Sequence, residues 1–288
     1  MEGFPPFLSS EFPPSSLDDA TFAILPVPLE KTVSYGRGTS QGPAAILQAS
    51  EQLEAGIWGC VPGAAGIATL PPLDCQDTME EVLSAITHAV EGIIQLGKIP
   101  IVLGGEHSVS YGAIRAFADA GRSLGVVHFD AHADLRQSYE GSRFSHACVM
   151  HRVLDLGLPL VQVGVRDMCE EEVLVRKEHN VLFFDADTIA DEGIPEPLLP
   201  KDFPHDIYIS FDVDCFDASL MPATGTPQPG GLFWHDVRKI LRSLGASRRI
   251  VGFDVVELAP IPGMHAYDFI AAKLTYLLMG VTLCSQHK

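Results

Sequence analysis

Short apolar runs and longer amphipathic stretches alternate along almost the whole chain. Runs at residues 22–27, 99–103, 124–129, 160–163, 181–184, 207–211 and 250–253 are each bounded by polar or turn-forming residues. Runs of four to eight apolar residues suit strands covered on both faces, because a strand with one wet face alternates instead. Between them lie segments with apolar residues at helical spacing. In 79–96, Val82, Ile86, Val90, Ile93 and Ile94 fall at that spacing, Asp77 or Thr78 can cap the start, and Gly97 can end it. Further helices are expected at 43–53, 109–118, 147–156, 170–177, 234–244 and 267–279. Residues 190–206 are Pro-rich and polar and read as a surface loop. This alternation predicts an α/β fold, a mostly parallel sheet flanked by helices on both faces. No repeat and no dividing linker interrupts it. The expectation is a single domain over 1–288, with 1–20 an extended N-terminal segment.

Composition narrows the class. At 288 residues and 47% hydrophobic composition the chain can bury a sizeable core. Charged residues make up 19%, below the roughly 25% usual for globular domains, which suits a large domain or an oligomer. The formal net charge of −18 argues against nucleic acid, whose phosphates need clustered Lys and Arg. It would draw in a cationic substrate, although solubility alone accounts for the same charge. The six cysteines show no CxxC spacing, which disfavours zinc ribbons and thioredoxin-like motifs. Residues 1–16 lack the charged start and apolar stretch of a signal peptide. The longest apolar segment, 269–284, is broken by Lys273 and falls short of the roughly 20 residues a membrane span needs. A cytoplasmic protein with reduced thiols and no membrane partner is expected.

In a parallel sheet, ligands bind beyond the carboxyl ends of the strands. Three polar clusters occur there: Gly104-Gly105-Glu106-His107-Ser108, Asp130-Ala131-His132-Ala133-Asp134, and Asp212-Val213-Asp214. Extended backbone places alternate residues on one side, so Asp130, His132 and Asp134 converge if strand geometry persists past the strand end. Four crowded carboxylates repel one another, and bound cations remove that penalty. Imidazole with carboxylate, and no thiolate, favours manganese over structural zinc. Six ligands are too many for one zinc and suit two metals sharing carboxylates. His128 could share the face of Asp130. Cys215 would point to the opposite face from Asp214 and reads as core. Asp217 reads as a turn residue, Asp185 and Asp187 as loop or capping residues. His151, His179, His205, His235 and His265 have no partner spacing.

In order and content, GGEHS, DAHAD and SFDVDCFD resemble the three metal-binding signatures of the ureohydrolase (arginase/agmatinase) family. The likeness extends to the loop at 33–46, the glycine-rich loop at 225–231, the segment at 254–260 and residues 268–274. It covers roughly 20–280, is closest to agmatinases, and implies a three-layer α/β/α arginase-like fold. By resemblance one manganese is held by His107, Asp130, Asp134 and Asp212. The other is held by His132, Asp130, Asp212 and Asp214, with a hydroxide between the two ions. Glu257 resembles the carboxylate that binds the substrate guanidinium. His146 resembles the histidine that passes a proton to the leaving amine, although Ala147 follows where many relatives have glycine. His128 matches a position that the family does not use as a ligand.

The implied reaction is hydrolysis of agmatine to putrescine and urea in polyamine biosynthesis, by an enzyme carrying two Mn2+ per subunit. The stretch 135–141, with Ser145 and His146, looks like agmatinases rather than arginases. Aminopropylagmatine, guanidinobutyrate and arginine stay open as substrates. Two other classes also stay open: a metal-stabilised binding protein without turnover, and a mononuclear zinc deacylase of related fold. The resemblance further implies a homo-oligomer, trimeric or hexameric.

Overall fold

Eight strands pair side by side, every pairing parallel, in the order β2-β1-β3-β8-β7-β4-β5-β6. They are β1 Phe22–Val27, β2 Ile67–Thr69, β3 Ile99–Gly104, β4 Leu124–Phe129, β5 Leu160–Val163, β6 Leu182–Phe184, β7 Asp206–Asp212 and β8 Arg249–Val256. The computed structural model describes residues 4–57 and 59–286. Seven strands lie where the apolar runs place them. The unpredicted one, β2, is Ile-Ala-Thr at a sheet edge, with Ile67 its one large apolar side chain, and so does not show as a run.

The helices are α1 Gly42–Ser50, α2 Met79–Gln95, α3 Val109–Asp119, α4 Val149–Asp155, α5 Glu170–Glu178, α6 Ala186–Glu192, α7 Trp234–Ser247 and α8 His265–Ser285. The start of α2 is the clearest case of sequence setting a boundary. Thr78 Oγ1 accepts from the Glu81 amide while the Glu81 carboxylate accepts from the Thr78 amide, a reciprocal cap. Alternate strand residues feed two cores. Ile101, Leu103, Val127, Phe129, Ile209 and Phe211 pack with residues of α1, α7 and α8. Val102, Val126 and Tyr208 pack with residues of α2, α3, α4 and α5. These are the three expected layers.

Three expectations need correction. Residues 190–206 are not all surface loop, because α6 occupies 186–192 and Leu198 and Leu199 are only 3% exposed. Residues 4–20 are not extended throughout, because turns form at 7–11 and 17–19. Buried Leu8 donates its amide to Ser50 Oγ at 2.8 Å, and Ser9 donates to Glu51 at 2.6 Å, which ties the segment to the end of α1. Residues 1–3 of that segment lie outside the described residues. The last helix runs 21 residues and has the length and apolarity to cross a membrane. However, 67% of its most apolar window is buried, packed on α1, α7 and β8.

The sheet order matters for chemistry. The strands that end in the polar clusters, β3, β7 and β4, together with β8, stand adjacent as β3-β8-β7-β4. Their carboxyl ends therefore open onto one cleft.

Candidate metal centre and substrate cleft

The loop after β3 is drawn tight against the loop after β1. The Gly105 amide donates to Val27, and the Glu106 amide to Leu29. A Cβ at Gly105 would stand 1.9 Å from the Leu29 carbonyl oxygen, so only glycine fits. This packing fixes His107 at the cleft floor, 1% exposed. Its Nδ1 lies 3.0 Å from Asp130 Oδ2, 3.1 Å from Asp134 Oδ2 and 3.3 Å from Asp212 Oδ2. On the other side of Asp130, His132 Nδ1 lies 3.4 Å from Asp130 Oδ1 and 3.0 Å from Asp214 Oδ2. Asp130 thus turns one oxygen to each group.

Convergence is not achieved as strand alternation suggests. β4 ends at Phe129, and Asp134 reaches the cluster through a left-handed backbone, φ 53°. Asp214 stands in a 3-10 turn that starts after Asp212, whose Oδ1 accepts the Asp214 amide at 2.8 Å. Glu257 is also left-handed, φ 64°. Such conformations cost on the order of 1–3 kcal/mol each and persist only where surroundings enforce them.

Three observations test whether cations fit. First, donor atoms sharing an ion at about 2.1 Å stand about 3.0 Å apart at right angles and about 3.4 Å apart at tetrahedral angles. The histidine–carboxylate spacings span 3.0–3.4 Å. Second, His107 Nδ1 is fully buried and makes no aligned hydrogen bond despite three nearby oxygens. Third, the ring is set so that Nδ1 is the atom turned to the carboxylates. Ser210 Oγ donates to Asp254 Oδ1 at 3.0 Å, so it can only accept from His107 Nε2, also at 3.0 Å. Nε2 therefore carries a proton, and Nδ1, which faces the carboxylates, is the atom that can take a metal once the proton it shares with them is displaced.

Electrostatics agree. Burial, and next the Asp130 charge, push the Asp134 carboxyl up to about 7. Burial, then Asp214 and Asp130, raise Asp212 well above the usual range. Burial would lower His107 and His132, but the surrounding carboxylates outweigh it and raise both. In the protein alone, protons do what cations would do in the cluster.

Glu257, at the end of β8, lines the same cleft. Its Oε1 accepts the His107 amide at 2.6 Å. Burial, then repulsion from Glu106, raise its pKa well above normal, the signature of a carboxylate lacking a cationic partner. His146 opens a 3-10 turn before α4 and is held by Thr32. Thr32 Oγ1 donates to Glu106 Oε1 at 2.7 Å, accepts the His146 amide at 3.0 Å, and stands 3.2 Å from His146 Nδ1. With the Thr32 hydroxyl proton committed to Glu106, Nδ1 can donate to Thr32 Oγ1, with Ser145 Oγ also 3.3 Å away, and in that tautomer Nε2 is the free acceptor. Burial lowers the His146 pKa, so the ring is neutral at pH 7.

The remaining expectations sort plainly. Of the 254–260 segment, Glu257 lines the cleft, while Asp254 is fully buried behind His107. Cys215 is buried and bonds the Val163 carbonyl. Asp217 accepts from the Ser219, Gly230 and Gly231 amides and so pins the glycine-rich loop. Asp185 stands at the N-terminus of α6, and Asp187 in its first turn. His151 bonds only the backbone beside the cluster, its amide donating to the Asp134 carbonyl and its ring standing 2.8 Å from the Leu135 carbonyl, while His205 contacts Asp206. The loops at 33–36 and 225–226 line the cleft and meet where the Gly36 amide donates to Gly225 at 3.1 Å.

The sequence reading gave no role to Thr32, Glu106 or Arg166, nor to Asp167 and Glu172 on the cleft wall. Arg166 donates to the carbonyls of Gly164, Asp214, Cys215, Phe216, Gln228 and Pro229, clamping the loops together. Asp167 and Glu172 follow the apolar run of β5, where polar residues after a run were the available signal.

The chain is similar in sequence and fold to known proteins. The model of the arginase family matches residues 20–280. An N(1)-aminopropylagmatine ureohydrolase of Synechocystis is 38% identical, over 98% of this chain and 95% of its own. An agmatinase of Pyrococcus horikoshii is 36% identical, over 94% and 95%. The crystal structure of the agmatine ureohydrolase of Thermoplasma volcanium superposes with a TM-score of 0.88 at 31% identity, over 98% and 96%.

Proposed function

The chain belongs to the arginase family, and from that premise we propose that it hydrolyses agmatine to putrescine and urea with two manganese ions in the carboxylate cluster. Action on guanidino compounds is the chemistry of the relatives it matches over nearly its full length. One observation carries the proposal: Asp130 offers a separate oxygen to each of two histidine–carboxylate groups.

One ion would be held by His107, Asp130, Asp134 and Asp212, and the other, by the same resemblance, by His132, Asp130, Asp212 and Asp214. Bound divalent ions would lower the pKa of water from about 15.7 to about 7, which supplies a nucleophile that a resonance-stabilised guanidinium otherwise lacks. Glu257 takes the guanidinium. Its buried charge gains a partner, and its Oε1, fixed by the His107 amide, sets the angle of approach. His146 is neutral and oriented by Thr32, so its Nε2 can take a proton and hand it to the leaving amine. Asp167 and Glu172 add negative charge to the cleft wall, as a dicationic substrate requires.

Aminopropylagmatine is the second reading, because relatives at 38% and 37% identity carry that activity in their names. Urea release from agmatine, aminopropylagmatine, arginine and guanidinobutyrate by the manganese-loaded protein decides between them. The highest kcat/KM is expected for agmatine. A clear preference for aminopropylagmatine would replace the substrate and keep the reaction, whereas urea from none of the four would end the proposal.

A further inference from the structure

Behind Asp130 runs a buried chain of polar side chains that no step above uses. Arg176, in α5, donates Nε–H to Gln162 Oε1 at 2.8 Å. Gln162 Nε2 stands 2.6 Å from the Ala133 carbonyl oxygen and 3.0 Å from His128 Nδ1. His128 Nε2 stands 2.8 Å from Asp130 Oδ2. Gln162 and His128 are fully buried, Asp130 is 1% exposed and Arg176 is 5% exposed. At its outer end Arg176 pairs with Asp185 at 3.0 Å and lies over the Phe183 ring at 4.6 Å.

The direction of every bond in this chain follows from its first member. A guanidinium has donors only, so the Gln162 oxygen must face it. Turning the amide over would set NH2 against N–H. The two amide hydrogens are then spent, one on the Ala133 carbonyl and one on His128 Nδ1. A nitrogen that accepts carries no proton, so the ring's proton is on Nε2 and points at Asp130. An imidazolium is excluded by the same reasoning, since its Nδ1–H would meet the amide hydrogen.

We infer that His128 is a positioning residue for Asp130, its Nε2–H holding Oδ2 so that one oxygen faces each histidine group, with Gln162 and Arg176 fixing the tautomer. The inference rests on the reading of Asp130 as the carboxylate shared by two cations. It also explains why His128 is not a ligand itself. Its ring stands within reach of His107, Asp130 and Asp134, yet it offers them an N–H and no lone pair. Residues that orient a metal-bound carboxylate from behind change metal affinity by about 10–100-fold when removed.

The test measures manganese binding by titration calorimetry on the full chain, together with the nitrogen-15 spectrum of the His128 ring. In the wild-type protein the ring proton is expected on Nε2, with and without metal. A proton on Nδ1 would overturn the inference without any variant. His128→Leu should weaken manganese binding by about 10–100-fold, and His128→Gln, whose amide can still donate, should recover most of it. Equal affinity in wild type and His128→Leu, or equal loss in both variants, would overturn the donor role. Where His128→Leu fails to fold, Gln162→Glu replaces it. A carboxylate there can only accept, so the His128 ring should become doubly protonated, and a ring unchanged in that variant would overturn the inference. Wild-type protein that binds no manganese would instead remove the reading of the cluster on which this one stands.

Discussion

Replacing Glu257 by Gln isolates charge from shape. The amide is nearly isosteric, and its oxygen can still accept the His107 amide that Glu257 Oε1 holds at 2.6 Å. What is lost is the negative charge facing the substrate guanidinium. A hydrogen bond to a charged partner contributes about 1.5–3 kcal/mol. A unit charge pair at 4 Å contributes about 4 kcal/mol at the effective dielectric of a partly wet site. Taking about 2–4 kcal/mol, at about 1.36 kcal/mol per decade, kcat/KM for agmatine should fall about 30- to 1000-fold. Metal content should stay at the wild-type value, because Glu257 is outside the histidine–carboxylate cluster. Stability should move the other way. The Glu257 pKa is raised in the folded state by burial and by Glu106, so ionising it there costs folding free energy at any pH above the ordinary carboxyl range. Metal-free Glu257→Gln should therefore match the wild type in acid and melt higher at pH 7. Steady-state urea release, metal analysis and thermal melts at two pH values check all three. A change in kcat/KM under about threefold, or loss of metal with the activity, would refute the reasoning.

Asp130→Asn should abolish urea release and leave fewer than two ions per chain, as elemental analysis would show. Manganese binding should weaken as pH falls through 7. Asp134 with its pKa near 7, raised Asp212, and the raised His107 and His132 all hold protons that the ions must displace. Calorimetry in buffers of different ionisation enthalpy should register about one or more protons released per ion at pH 7, and pH-independent affinity between 5 and 8 would contradict this. Thr32→Val should lower kcat about 10- to 100-fold with little change in KM, since it frees the His146 ring, and Thr32→Ser should restore it.

Much of this was legible before any coordinates. Strands buried on both faces write themselves as apolar runs, and β1, β4 and β5 fall at the residues the runs mark. The histidines and aspartates of the cluster stood out because three polar clusters follow apolar runs, whereas a lone pair of aspartates at a strand end usually caps or meets solvent. What stayed hidden is held together by contacts distant in sequence. Thr32 meets Glu106 and His146 across 74 and 114 residues. Gln162 lies mid-run in β5 and reads as a strand residue until its amide is seen against His128, 34 residues away. Local geometry misled in a different way. Period-two spacing grouped Asp130 with Asp134 and Asp212 with Asp214, but a left-handed residue and a 3-10 turn bring these side chains to the cleft, not a prolonged strand. α6 and β2 escaped notice because ADTIADE and IAT offer few apolar residues to mark them, whereas the equally short α4 and β6 are rich in them.

Anomalous diffraction from crystals soaked in manganese tests the centre of the account most directly. Two peaks about 3.5–4 Å apart, one beside His107 and one beside His132 with the Asp130 carboxylate between them, are the predicted result. A single peak, or none at Asp130 in crystals of protein that still releases urea, would contradict it.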